Sequence, residues 1–192
     1  MAGAGERIRG LLAEAPLPES AVSVTPDRGG IVFDKVTLHF GGRTPVLDNL
    51  SFEVPERGLV ALVGPSGAGK STAAGLVARF WDPDSGRIQI GGVDVRDINA
   101  EERMRQVSFV FQQPYLFDES IAENIRMGRE DATMDEIIEA AKAAYCHDFI
   151  EKLPSGYDTV AGEGGSALSG GEKQRISIAR ALLKDSPILI LD

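Results

Sequence analysis

The sequence predicts an α/β fold, and three observations carry that prediction. A continuous apolar run, LVALVG at 59–64, precedes a glycine-rich loop and a helix-forming stretch, which is typical of a strand buried on both faces of a sheet. A second apolar run, ILILD at 188–192, has the same character. Between about residues 119 and 185, apolar residues recur at helical spacing. Strands before and after a helical block indicate an α/β core that carries a helical insertion.

The remaining elements follow from spacing and turn residues along the chain. AGERIRGLLAE predicts a short helix with Ile8, Leu11 and Leu12 on one face, and the three prolines and Gly pair of APLPESAVSVTPDRGG predict a linker. The predicted order after the linker is antiparallel strands at 31–40 and 46–58, the buried strand at 59–64, a helix at 71–81, a hairpin at 86–95, a strand at 107–113, helices at 119–128 and 134–153, a glycine-rich loop at 153–171, a helix at 172–185 and a buried strand at 188–192.

Composition excludes several classes of protein. The net charge of −9 argues against a nucleic-acid-binding surface, which needs concentrated Lys and Arg. The sequence has no apolar run long enough to span a bilayer, and its N-terminus lacks the apolar core of a secretory signal. Cys146 is the single cysteine, so no disulfide framework forms, and we expect it to be a buried apolar residue.

The stretch GPSGAGKS at 64–71 fits the phosphate-binding pattern G-x-x-x-x-G-K-[ST], with a strand predicted before it and a helix after it. Glycines let the backbone wrap closely around phosphate oxygens, and the helix N-terminus attracts an anion. We expect Lys70 to reach the β- and γ-phosphates, Ser71 to ligate Mg²⁺ and Thr72 to reach the α-phosphate. The predicted nucleotide-binding residues of this segment are Gly64, Pro65, Ser66, Gly67, Ala68, Gly69, Lys70, Ser71 and Thr72.

Asp192 ends the second apolar run. A carboxylate at the end of a buried strand, beside a phosphate loop, typically holds Mg²⁺ through water. We therefore expect Asp192 to be part of the metal site.

A third motif, ALSGGEKQR at 167–175, resembles the signature of the ATP-binding-cassette (ABC) ATPases. Ser169, Gly170 and Gly171 open a helix, so a hydroxyl, N–H groups and the helix dipole all favour an anion. The resemblance implies that Ser169 and Gly171 meet the γ-phosphate held by the phosphate loop of a second subunit. The family commonly has Gln where this chain has Glu172, which we expect to point away from the phosphate.

Three shorter segments resemble the same family. FVFQQPYLF resembles its glutamine loop and implies that Gln112 contacts Mg²⁺, the attacking water and the membrane partner, with Gln113 as the competing register. TLHF implies that Phe40 stacks on adenine, although a strand aromatic is more often a core residue. TVAGEGGSALSGG implies that Glu163 contacts the intracellular loops of a membrane domain, the alternative being a solvated carboxylate.

The resemblance implies a P-loop NTPase core with an antiparallel β subdomain and a helical signature subdomain, lacking the C-terminal strands. We expect residues 1–30 to be a linker helix and loop from a membrane domain, and residues 31–192 to be an incomplete ATPase domain with a helical subdomain at about 114–185. The implied cofactors are ATP and Mg²⁺. The implied partners are a second ABC ATPase domain, identical or different, and a transmembrane domain at the cytoplasmic face of the inner membrane, without nucleic acid.

In the family, the residue after the acidic strand is the catalytic Glu, and the next strand lies between the two apolar strands predicted here. We interpret the chain as a fragment or a truncation, and expect it to gather nucleotide and metal without useful turnover or normal stability. The predicted function is ATP binding and, in the complete protein, ATP hydrolysis that drives export. The alternatives are a degenerate ABC site without turnover and a soluble ABC ATPase of DNA repair or translation, against which the negative charge and the linker helix argue.

Overall fold

A computed structural model describes residues 4–13, 15–20, 24–27 and 29–192 of the chain. Its helices are α1 (Ala4–Ala13), α2 (Lys70–Val77), α3 (Ala100–Gln106), α4 (Ile121–Arg126), α5 (Met134–Ala143), α6 (His147–Ile150) and α7 (Gly170–Lys184). Its strands are β1 (Ile31–Leu38), β2 (Leu47–Val54), β3 (Ser85–Ile90), β4 (Val93–Asp94), β5 (Val107–Val110) and β6 (Ile188–Leu191). Short 3-10 helices lie at Gly156–Asp158 and Glu163–Gly165. No helix of the described ranges is both long and apolar enough to cross a membrane.

The first sheet is antiparallel, with the strand order β2-β1-β3-β4. Along β1 the buried residues Ile31 and Phe33 alternate with partly exposed ones, and the pairing shifts register before Val36, where Lys35 has a φ of 52°. The buried face packs on α2 through the fully buried Leu76. The predicted antiparallel strands and hairpin are therefore confirmed.

The second sheet is a parallel pair of β5 and β6, in register from Val107 opposite Ile188 to Val110 opposite Leu191. The N–H of Asp192 donates to the carbonyl of Val110 at 3.0 Å, which extends the pairing by one residue. This pairing places the ends of the two strands at the same edge of the sheet.

The prediction of a buried strand at 59–64 is wrong for this structure. The segment has no strand pairing, and Leu59 and Val63 are 100% and 89% exposed. A strand needs a hydrogen-bonded neighbour, and no backbone hydrogen bond joins residues 59–63 to another residue in the described part of the chain. A cavity of about 750 Å³ lies between this segment and β6. The burial predicted for β6 is confirmed for Ile188 and not for Leu191, which is 61% exposed.

The helical part has its own core, in which α4, α5 and α7 pack together around residues such as Ile121 and Ile137. The predicted face of α7 is confirmed, because Ile176, Ala179 and Leu183 are all buried. The helix predicted at 134–153 divides into α5 and α6 at Tyr145, whose φ of 54° interrupts helical geometry. Helix α2 ends at Val77, shortly before Arg79 adopts a φ of 54°.

The described parts of the linker lie against the domain. Arg79 is buried and donates from Nη2 to the carbonyl of Pro18 at 2.8 Å. The Glu19 carboxylate accepts from the N–H of Ala100 at 3.0 Å and from Arg103 at 3.4 Å. The N–H of Val24 donates to the carbonyl of Asp97 at 3.2 Å. These contacts fix the linker to the C-terminal end of α2 and to the start of α3, a helix that the sequence analysis did not predict.

The helix predicted at the N-terminus is confirmed by α1. The side chains of Ile8 and Leu11, which we placed on its apolar face, lie outside what the structure describes. Leu12, from the same predicted face, is 81% exposed.

Candidate functional site

The glycine-rich loop at 64–69 turns sharply into the first residue of α2. Gly67 and Gly69 both have a φ of 80°, a conformation that favours glycine. A Cβ on Gly69 would lie 2.9 Å from the carbonyl oxygen of Val46 and 2.7 Å from the side chain of Leu47. No side chain in the described part of the chain caps the N-terminus of α2, so its first N–H groups and the positive end of the helix dipole remain available to an anion. The loop can therefore accept an anion.

Lys70 lies across this loop. Its Nζ donates to the carbonyl oxygens of Gly64 at 3.0 Å and Pro65 at 2.8 Å. The ammonium group thus stands at the mouth of the loop and next to the N-terminus of α2, where a bound phosphate would meet both.

Ser71 and Asp192 meet although 121 residues separate them in the chain. The Ser71 hydroxyl donates to Oδ1 of Asp192 at 2.7 Å, which joins the first turn of α2 to the end of β6. Magnesium prefers oxygen ligands and is often bound by one or two protein groups together with substrate phosphates. These two oxygens fit that requirement. No cluster of three or more His, Cys, Asp or Glu in the described ranges offers another metal site.

Gln112 follows β5 at the same sheet edge at which Asp192 follows β6. Both Gln112 and Gln113 are exposed, so the structure leaves the choice between them open. Thr72 is half-buried in the first turn of α2.

Phe40 follows β1 and is 49% exposed, so it belongs to neither hydrophobic core. Its ring makes an edge-to-face contact with Trp81, with centroids 5.1 Å apart and planes at 74°. The preceding His39 is tied to Asp84 by its backbone N–H at 2.7 Å and its Nδ1 at 2.9 Å, and these hydrogen bonds lower the pKa of Asp84. The ring of Phe40 is therefore fixed by its contact with Trp81 and remains accessible to a ligand.

The predicted signature forms the start of α7, with Ser169 as its N-cap. Glu172 turns back onto Ser169, and the expectation that it points away from the phosphate stays a prediction. Its Oε2 accepts from both the hydroxyl and the backbone N–H of Ser169, each at 2.7 Å, and the N–H of Glu172 points back at the Ser169 hydroxyl at 3.4 Å. A Glu three residues after a Ser N-cap closes such a capping box. The hydrogen bonds from Ser169 lower the pKa of Glu172.

In the described part of the chain, no close contact requires glycine at Gly170 or Gly171. A Cβ on Gly170 would meet nothing within 4 Å, and one on Gly171 would meet only Arg175 Nη1 at 3.7 Å. Both residues are exposed and helical. In the described part of the chain, no hydrogen bond or ion pair joins residues 167–175 to the loop and α2 residues at 64–72. Glu163 is exposed on a neighbouring 3-10 helix.

The structure also shows a surface that the sequence analysis did not single out. A groove of about 390 Å³ lies between β5 and α7. The rings of Phe80 and Phe111 stack there with centroids 5.9 Å apart, and Phe109 lies 4.5 Å from Phe111. We call this the aromatic groove, lined by Phe80, Phe109, Phe111, Tyr115 and Phe117. The clustered aromatics of FVFQQPYLF were the available signal.

Comparison with known proteins agrees with this geometry. The family model described as ABC transporter matches residues 47–192. A beta-(1→2)glucan export ATP-binding/permease protein of Brucella suis is 48% identical over 180 residues, which cover 94% of this chain and 30% of that protein. An ATP-dependent lipid A-core flippase of Chromobacterium violaceum is 44% identical over 191 residues, covering 98% of this chain and 33% of that protein. A bacterial Atm1-family ABC exporter, solved with ATP bound, has a TM-score of 0.91 and 42% identity, with 98% of this chain and 33% of that chain covered. The chain thus spans about a third of the length of these relatives.

Proposed function

Because the chain belongs to the ABC transporter family, we propose that it is the ATPase domain of an exporter, which binds ATP with Mg²⁺ and hydrolyses it to drive export. The fold is that of the nucleotide-binding domain of this family, with a P-loop core, an antiparallel sheet and a helical part. In this proposal residues 1–30 link the domain to a membrane-spanning part, and residues 31–192 form the ATPase, with its helical part at about 114–185.

The proposal rests mainly on one observation: the phosphate loop, the Lys70 ammonium, the Ser71 hydroxyl and the Asp192 carboxylate lie close together. Lys70 stands at the loop mouth, and Ser71 and Asp192 are 2.7 Å apart beside it. In the proposed complex, Lys70 gives up its carbonyl contacts for the β- and γ-phosphates. Ser71 and Asp192 hold Mg²⁺, Asp192 through water, and the metal would neutralise the charge that develops on the phosphates. Phe40 supplies a face for adenine, and Gln112 reaches the metal and the attacking water.

A second domain completes the proposed site. Ser169 and Gly171 are exposed at the start of α7, and the glycines leave room that this chain does not use. Gly in a helix costs roughly 0.5–1 kcal/mol relative to Ala, so a reason outside the chain is needed. Close approach of the γ-phosphate held by a partner domain supplies that reason, since two N–H groups and a hydroxyl would then meet it. The partner is a second ABC ATPase domain, identical or different.

A membrane domain is the other proposed partner. About two thirds of the length of the relatives named above as an ATP-binding/permease protein and a flippase lies outside the part that is matched here. The aromatic groove is exposed and apolar, and it lies beside Gln112 in sequence, so an apolar helix end from the membrane domain fits it. Glu163 would contact the same domain. In this proposal the ATPase lies at the cytoplasmic face of the inner membrane. The exported substrate differs between relatives, and the ATPase residues do not identify it.

A pair of variants tests the proposal in the full-length protein. Lys70→Ala should abolish ATP hydrolysis, because the phosphates lose a positive charge. Co-expression of Lys70→Ala with Gly171→Asp gives mixed pairs, in which one composite site carries both lesions and the other carries neither. Hydrolysis by the mixed pairs, where each variant alone has none, is expected if the signature acts across two domains.

Normal hydrolysis by Lys70→Ala would refute the phosphate-loop assignment. Inactive mixed pairs that still assemble would refute the shared site. Nucleotide binding without any hydrolysis by the wild-type full-length protein would instead support a degenerate, non-hydrolytic site.

A further inference from the structure

The Ser169 hydroxyl has a single proton, and this proton is already engaged. It is donated to Oε2 of Glu172 at 2.7 Å, and the same oxygen accepts the N–H of Ser169 at 2.7 Å. A hydroxyl held in this way cannot also donate to a phosphate. The group that the proposed function directs at the γ-phosphate is therefore turned toward a carboxylate of its own helix.

Among the described residues, the charge of that carboxylate is compensated by Arg175 at a distance and by no close ion pair. In the described ranges no ion pair includes Glu172. Lys173 donates instead to the carbonyl of Gly164 at 3.3 Å, and the guanidinium of Arg175 lies 5.2 Å from the ring centre of Phe149. Beyond the hydrogen bonds from Ser169, the positive end of α7 and the charge of Arg175 stabilise the carboxylate. An approaching triphosphate would compete for that same positive field and would meet a like charge.

We propose that Glu172 is a positioning residue that withholds Ser169 from ATP in the unpaired domain and opposes ATP-driven pairing until its carboxylate turns away. This inference rests on the proposed function, because it requires that Ser169 meets a partner's γ-phosphate. Glutamate here sets a higher ATP threshold for pairing than glutamine would, since glutamine can close the same capping box without a charge. The proposed effect of Glu172 on pairing comes from its negative charge and does not depend on how much its capping hydrogen bonds stabilise α7.

The chain offers a matched control in a second capping box. At the start of α5, Oε2 of Glu136 accepts from the N–H of Thr133 at 2.8 Å and from its hydroxyl at 3.0 Å, and the return contact is 3.4 Å. This capping box has the same pattern of hydrogen bonds as that of Ser169 and Glu172. Neither Thr133 nor Glu136 is part of the proposed nucleotide site. Glu136→Gln makes the same replacement at the same helix position, and it also removes the ion pair of Glu136 with Arg129, which Glu172 lacks.

The test compares wild type, Glu172→Gln and Glu136→Gln in the full-length protein. Pairing is measured by energy transfer between labelled ATPase domains as a non-hydrolysable ATP analogue is added. Glu172→Gln should lower the analogue concentration for half-maximal pairing by about tenfold or more, as removal of a like charge from an interface does. Glu136→Gln should leave it unchanged. The difference in pairing threshold between wild type and Glu172→Gln should become smaller as the salt concentration is raised, because salt screens the charge. The affinity for ADP should be equal in all three proteins, because ADP has no γ-phosphate.

An unchanged or higher threshold in Glu172→Gln would overturn the inference, as would an equal shift in Glu136→Gln. Glu172→Ala checks the result independently, since it should lower the threshold even though it also loses the cap and some thermal stability. Failure of the proposed function has a different signature. In that case the analogue would drive pairing equally well in Ser169→Ala, or would not drive it in any of the proteins.

Discussion

Replacement of Gly171 by alanine should stabilise the domain and at the same time inactivate it. Gly171 lies in the first turn of α7 with helical backbone, and an added methyl would meet only Arg175 Nη1 at 3.7 Å, an ordinary contact. Alanine at a compatible position stabilises a protein by about 0.4–1 kcal/mol, because the unfolded chain has fewer conformations to lose. For a domain of this size that corresponds to a rise in Tm of about 1–4 °C.

The activity should move in the opposite direction. If a partner's γ-phosphate approaches this turn, the methyl group displaces it, and a misplacement of about 1 Å can cost on the order of a hundredfold in rate. Thermal unfolding and phosphate release are measured on the full-length protein. Gly10→Ala is the control, because Gly10 is an exposed helical residue whose Cβ would meet none of the described atoms within 4 Å. It should gain similar stability without losing activity. Full activity in Gly171→Ala would refute the close approach, and a lower Tm would refute the local geometry.

Three further predictions follow from the described contacts. Phe40→Ala should weaken ATP binding by about 1–3 kcal/mol while Phe40→Trp preserves it, taking base–aromatic stacking as the guide; an unchanged Kd for the alanine variant would count against adenine stacking. Arg103→Ala should lower the free energy of unfolding by about 1–3 kcal/mol for each buried carbonyl left without a donor, because the buried guanidinium donates to two carbonyls at 2.7 and 3.2 Å; an unchanged denaturation midpoint would contradict this. Burial raises the pKa of Cys146 to about 12, so maleimide should label it at pH 8 only after unfolding. Because the unfolded thiol loses its proton first, the free energy of unfolding should fall as pH rises above the ordinary thiol pKa of 9.0, and labelling at the same rate in native and unfolded protein would contradict the burial.

The parts of the site that local sequence determines were predictable. The order of loop, Lys70 and helix follows from glycines that tolerate positive φ and from the residues that continue α2. The buried face of α7 follows from spacing alone. The capping box of Ser169 and Glu172 could also be predicted, since a Ser followed three residues later by a Glu is the sequence pattern of such a box. Our expectation for Glu172 considered the dipole of α7 and left out the hydrogen bond from the Ser169 hydroxyl to its carboxylate.

Other features depend on more than local sequence. Residues 59–64 have every local property of a buried strand, but pairing needs a neighbour, and the described residues provide none for this segment. The helix breaks near Arg79 and Tyr145 use positive φ at residues that ordinarily avoid it, so their sequence gives no signal. The contact of Ser71 with Asp192 joins positions 121 residues apart and depends on the core that α2 and β6 share.

The contact of the predicted linker with Arg79 would give α2 a mechanical role in addition to the nucleotide-binding role that we propose for its N-terminus. Helix α2 is short. Its N-terminus continues from the phosphate loop at Lys70, and just beyond its C-terminus Arg79 donates a hydrogen bond to Pro18 of the linker. A force applied to the residues before the linker therefore reaches the nucleotide loop along a single rigid element, without crossing either sheet. In the reverse direction, a ligand that draws Lys70 inward would pull on Pro18. In the proposed nucleotide complex, α2 would thus form a direct path between the phosphate loop and the residues before the linker.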